Sequence, residues 1–173
     1  AQDHLEAPQG EGRMTLAFNY ATRGIDQMTG SMAIGGVDGG LPSLREATLR
    51  YQPNAEAYAR MTDHCARRRG SDREAYLSSL AGESDAAFAA SFGVAPGPGL
   101  REAMARYLRQ PGEVKIVLRP ERELVLAPNA PHSLQYWTEV AGLALFVNGQ
   151  LVEDLSVVPA APAAAPLPAA QGR

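Results

Sequence analysis

With 173 residues, 45% of them hydrophobic and 20% charged, the chain can bury a core without help from a disulfide or a metal. A net charge of −3 and a pI near 5.6 argue against a dedicated nucleic-acid binder, whose footprint is basic. A single cysteine, Cys65, excludes an internal disulfide, and no apolar run approaches the ~18 residues of a membrane span.

Residues 1–12 are polar and glycine-rich and read as a loose arm. Residues 13–158 read as one domain. Residues 159–173, where proline keeps interrupting alanine, read as a disordered or polyproline-like tail. The chain opens Ala1-Gln2-Asp3 without an initiator methionine, the kind of start left after signal-peptide removal. Export is therefore expected.

The first element is a strand. Met14, Leu16, Phe18 and Tyr20 alternate with polar or small residues, the period of two of a half-buried strand. After a turn at Gly24, Met28, Gly30, Met32 and Ile34 repeat the pattern, which predicts an antiparallel hairpin. Gly35 to Gly40 reads as a loop. Ala47, Leu49 and Tyr51 make a third strand that ends at Pro53.

The period then becomes helical. Asn54 is placed to cap a helix with Tyr58, Met61 and Cys65 on its apolar face, closed by Gly70. Ser71 with Glu74 forms a capping-box pattern for a second helix carrying Tyr76, Leu77 and Leu80. Phe88 and Phe92 mark a short third helix, and Pro96-Gly97-Pro98-Gly99 breaks the chain. Leu100, Met104, Tyr107 and Leu108 pattern a fourth helix that Pro111-Gly112 stops.

Strand character returns at Val114, Ile116 and Leu118 and at Leu124 to Leu126. A short helix from Ser133 to Ala141 holds Trp137. Leu143, Leu145 and Val147 run into Asn148-Gly149, the strongest short hairpin signal, with Leu155 and Val157 extending the last strand. The whole predicts an α+β fold: a mainly antiparallel sheet, from an N-terminal hairpin and C-terminal strands, covered on one face by a mid-chain helical layer.

Local chemistry is sparse. Asp63-His64-Cys65 sits on one helix, where consecutive side chains point about 100° apart and cannot converge. The three histidines, His4, His64 and His132, show no paired spacing, so no metal site is expected. Nucleophile-elbow, His-Glu-x-x-His and phosphate-loop patterns are missing, so no catalytic residue and no cofactor is expected. Glu153-Asp154 and Glu121 with Glu123 read as solvated charge.

Two features suit ligands. Arg67, Arg68 and Arg69 end the first helix, where cations complement its C-terminal dipole and a guanidinium fork also matches a phosphate or an acidic partner. Arg60 and Arg73 would extend that patch. Tyr58, Tyr107 and Trp137 belong to an aromatic set that fills a core or lines an apolar groove suited to an acyl chain or a peptide.

Leu44 to Pro53 leading into Tyr58-Ala59-Arg60-Met61, then Leu108 to Ile116 through Pro111-Gly112, and Leu143 to Gly149 together resemble AsmA-like and neighbouring periplasmic domains of Gram-negative bacteria. The resemblance implies a periplasmic, non-enzymatic role. The expectation is a binding or interaction module of the cell envelope, holding a partner protein or a lipid-like ligand, without nucleic acid and without a membrane span. A hydrolase whose site is assembled only by folding, or a structural subunit of a larger envelope assembly, are the alternatives.

Overall fold

A computed structural model describes residues 12–36, 41–127 and 133–159. The chain order is β1 (Met14–Thr22), β2 (Asp26–Gly35), β3 (Ser43–Pro53), α1 (Ala55–Arg68), α2 (Arg73–Ala81), α3 (Asp85–Phe92), β4 (Val94–Pro96), α4 (Pro98–Arg109), β5 (Val114–Leu118), β6 (Leu124–Val125), α5 (Leu134–Glu139), β7 (Leu143–Val147), β8 (Gln150–Leu151) and β9 (Val157–Pro159). The main sheet runs β1-β2-β3-β5-β7-β8, with β6 beside the start of β3, and every pairing is antiparallel. This is the α+β architecture the sequence predicts. The arm up to Glu11, the loop centre at 37–40, residues 128–132 and the tail beyond Pro159 lie outside the described residues.

The register sorts the two faces of the sheet. Tyr20 pairs with Met28, Met28 with Tyr51, Tyr51 with Val114 and Val114 with Val147. Opposed residues share a face, so Met14, Leu16, Phe18, Tyr20, Met28, Met32, Leu49, Tyr51, Ile116, Leu145 and Val147 form one apolar surface. The other face is polar and carries ion pairs: Arg50 with Glu113 at 3.0 Å and Arg119 with Glu46 at 2.7 Å. Lys115 lies over the Phe146 ring on that side, 5.3 Å from its centre.

The core sits at the β7 end of the apolar face. Ala103 of α4, Val147 and Val152 form its buried centre, with Leu100, Tyr107, Leu145 and Leu155 around it. Ala103 is 2% exposed because α4 approaches β7 closely there. The Asn-Gly hairpin forms as expected: Asn148 and Gly149 take φ of 55° and 77°, the paired positive values of a tight turn matched to strand twist. Asn148 also donates from its side chain to the Gln110 carbonyl at 2.7 Å, tying the turn to the end of α4.

Several local expectations are corrected. Asn54 does cap α1, its side chain accepting from the Ala57 N–H at 2.9 Å. The buried stripe, however, is Tyr58, Thr62 and Ala66, while Met61 is 57% exposed. Small residues win there because α1 packs against α2, and the Thr62 hydroxyl is satisfied within the helix by the Tyr58 carbonyl at 2.9 Å.

The cap of α2 is Asp72, which accepts from the Ala75 N–H at 2.7 Å. Ser71 lies outside the helix and donates back to the Ala66 carbonyl. The stripe of α3 does not bury Phe92, which is 73% exposed. Val157 joins no strand of the main sheet; β9 pairs with β4 in a separate two-stranded ribbon.

That ribbon gives Pro96-Gly97-Pro98-Gly99 a second role beyond breaking the chain. The Gly97 N–H donates to the Ser156 carbonyl at 2.8 Å, and Pro98 opens α4, where its missing N–H costs nothing. A Cβ on Gly99 would lie 2.5 Å from the Asp154 carbonyl oxygen, so only glycine lets the two backbones meet. The repeated Leu-Arg-Glu-Ala run is strand at 44–47 and helix at 100–103, and is therefore no structural repeat.

Candidate functional site: the open half of the apolar face

The helical layer does not reach evenly across the sheet. Both α4 and α5 pack on β7. On β1 and β2, Ile34 is the one apolar-face residue that is buried; Phe18 and Tyr20 keep 44% and 51% of their surface exposed. Even Leu49 and Ile116, in the middle of the sheet, are only partly buried. The apolar face is thus best covered on the β7 side, at Val147, and open on the β1–β2 side.

Apart from Asp26 at the start of β2, the open half is uncharged across three strands, with Met14, Leu16, Phe18 and Tyr20 on β1, Met28 and Met32 on β2, and Leu49 and Tyr51 on β3. Gly30 shapes it. A Cβ there would lie 2.4 Å from the Phe18 ring, so the ring rests directly on the β2 backbone. Methionine and aromatic side chains at such a surface adapt to varied apolar shapes.

Tyr58 and Tyr107 come together, as a staple at the boundary of this surface. Their rings meet edge to face at 6.1 Å and 79°. The Tyr58 hydroxyl donates to the Leu108 carbonyl at 3.0 Å, locking α1 to α4. Burial pushes the Tyr107 hydroxyl up to about 12, and the adjacent Tyr51 and Tyr58 hydroxyls add to the shift. Burial also raises Tyr58, with the Arg73 cation opposing it. Both stay protonated at neutral pH, so the rings pack and Tyr58 donates without exchanging protons.

The arginines lie elsewhere. Arg67 and Arg68 are exposed on the last turn of α1, about 14–15 Å along the helix axis from Tyr58 at 1.5 Å per residue. Arg69 caps the helix and stacks over Tyr76, 5.5 Å from the ring centre. Arg60 and Arg73, expected to extend the patch, are engaged by Glu56 at 3.6 Å and Asp63 at 4.0 Å. Trp137 pairs edge to face with Tyr136 on α5, their centres 5.8 Å apart. The six singled-out side chains therefore occupy three places: the staple, the end of α1, and α5.

Sequence reasoning missed a cleft of about 870 Å³ between α5, β7 and residues 151–157. Leu134, Leu143, Leu151 and Leu155 line it, with Glu139, Glu153 and Asp154 among its polar residues. Asp154 is structurally employed. Hydrogen bonds from the Ser156 hydroxyl and N–H hold its carboxyl below the usual range, and Glu139 accepts from Gln135 at 3.0 Å. The pairing of β4 with β9, which brings 151–157 past α5, had no sequence signal stronger than three-residue strands can give.

Among the described residues, no group of His, Cys, Asp and Glu is arranged to hold a metal ion. Asp63 faces Arg73, His64 is exposed and Cys65 is half-buried; His4 and His132 lie outside the described residues. Nor, among the described residues, is any helix long and apolar enough to cross a membrane.

Fold and surface together define an α+β protein whose antiparallel sheet is half covered by helices. The chain belongs to the family whose description reads "Uncharacterized protein"; that family's model matches residues 9–135, from before β1 into α5. No curated protein and no solved structure matches the chain.

Proposed function

We propose that the protein is a non-catalytic binding module of the bacterial cell envelope, on its periplasmic side, and that it holds an apolar ligand or a partner protein on the open half of its sheet. The observation that carries this reading is the half-covered apolar face, where Phe18 and Tyr20 stand 44% and 51% exposed among methionine, leucine and tyrosine side chains, with Asp26 at its end. Apolar side chains gathered on one face, rather than scattered, mark an interaction site. The envelope assignment rests on the likeness to AsmA-like periplasmic domains in the segments from Leu44 to Met61, Leu108 to Ile116 and Leu143 to Gly149.

The test is binding of an apolar reporter dye, anilinonaphthalene sulfonate, to the folded chain and to the double variant Phe18→Ser, Tyr20→Ser. Strong emission from the parent protein, lost in a variant with an unchanged circular dichroism spectrum, supports the reading. Equal emission from both proteins, or none from the parent, overturns it. Fractionation of expressing cells checks the location, and recovery in the cytoplasm would remove the envelope from the proposal.

A further inference from the structure

β1 is the outer strand of the main sheet, and among the described residues nothing pairs with its free side. It runs nine residues, Met-Thr-Leu-Ala-Phe-Asn-Tyr-Ala-Thr, about 30 Å at the rise of an antiparallel strand. Edge strands are usually blunted by a charge, a proline or a bulge. β1 contains no charged residue and no proline, and its pairing with β2 stays in register from Met14 to Thr22.

Charges stand only at its two ends. Arg13 precedes the strand and Arg23 follows it; both are exposed, and neither makes an ion pair with a described residue. That placement disfavours self-association. Full-length antiparallel pairing of two β1 strands about Phe18 would set Arg13 of one copy opposite Arg23 of the other, and like charges directly opposed are destabilising. The same two cations favour a different strand with carboxylates at its ends.

Resting on the binding-module reading above, we infer that β1 accepts an extended segment of a partner protein as an added strand, uncharged through its middle and acidic at both ends. The backbone of β1 supplies hydrogen bonds at alternate residues. The segment's apolar side chains lie beside Leu16, Phe18 and Tyr20 and widen the open face, while Arg13 and Arg23 meet its terminal carboxylates. Opposed charge selects this partner, and like charge rejects a second copy.

The experiment uses the full chain and a labelled synthetic peptide matched in length to β1, alternating valine with threonine and ending in aspartate on both sides. The control peptide ends in arginine on both sides. The expected result is about tenfold tighter binding of the aspartate-ended peptide, ~1.4 kcal/mol, with the preference reversed in Arg13→Glu, Arg23→Glu. These side chains are exposed, so the variant keeps its fold. Equal affinity for the two peptides, or a preference the variant does not reverse, overturns the inference.

Binding of neither peptide overturns it too, as does a parent chain that sediments as a dimer which Ala17→Arg dissociates, since a second copy would then hold the edge. If neither peptide binds while the dye still distinguishes the Phe18 and Tyr20 variant, the binding module stands and only the added strand falls.

Discussion

The two halves of one apolar face behave differently although they share a sheet. On the β5–β7 side, Val147 is 5% exposed beneath α4; on the β1–β2 side, Tyr20, in register with it across the sheet, is 51% exposed. On the face they share, both halves carry large apolar side chains, Phe18 and Tyr20 on one side and Leu145 and Val147 on the other. What differs is the cover. α4 is held over β7 by the Asn148 side chain at one end and by the Gly97–Ser156 hydrogen bond at the other. The lesson is that alternation marks which face is apolar, and only the anchoring of the helices decides how much of it is spent on the core.

The contrast is broken most directly by truncating one apolar side chain on each side. Val147→Ala should lower unfolding stability by about 2–3 kcal/mol, through lost burial and a cavity the packed core cannot close. Phe18→Ala should lower it by about 1 kcal/mol, because the ring is already half in water. Urea unfolding followed by circular dichroism measures both, and equal losses would mean that the β1–β2 half is sealed in solution.

A smaller effect sharpens the boundary. The Tyr107 hydroxyl sits at about 12 in the folded chain against 10.0 when unperturbed. Folding therefore favours its neutral form, and that contribution is complete below pH 10 and lost as pH rises towards 12. Thermal unfolding midpoints should stay level up to about pH 9.5 and decline above it. Tyr107→Phe should flatten that decline.

The smallest effect is expected at Met61. Sequence periodicity puts it in the core, yet it is 57% exposed. Met61→Lys should shift stability by less than about 0.5 kcal/mol; a loss like that of Val147→Ala would restore Met61 to the core.

Much of the fold was legible because its signals are local. The hairpin from Met14 to Ile34, the Asn54 cap and the Asn148-Gly149 turn each need only neighbouring residues to specify them. Two kinds of feature were not legible. The choice of Thr62 over Met61 as the inward residue of α1 depends on how close its neighbouring helix comes, which favours small side chains. The β4–β9 ribbon pairs two proline-containing strands of three residues each, far apart in sequence, too short for any period to show.

The site was legible in part. The strand patterns named the apolar residues of β1 and β2, but assigned them to the core, since no pattern records where a helix stops. Tyr58 and Tyr107 were read as part of an aromatic set for a core or a groove, and the fold makes them a staple between α1 and α4.

The seat of α4 also has a consequence in time. Ala103 and Leu100 bury against Val147, Val152 and Leu155, contacts that span some forty to fifty residues of chain. The β1–β2–β3 meander, built from consecutive strands, can pair before that long loop closes, so its apolar face stands unroofed until α4 is seated, and its β1–β2 half stays so afterwards.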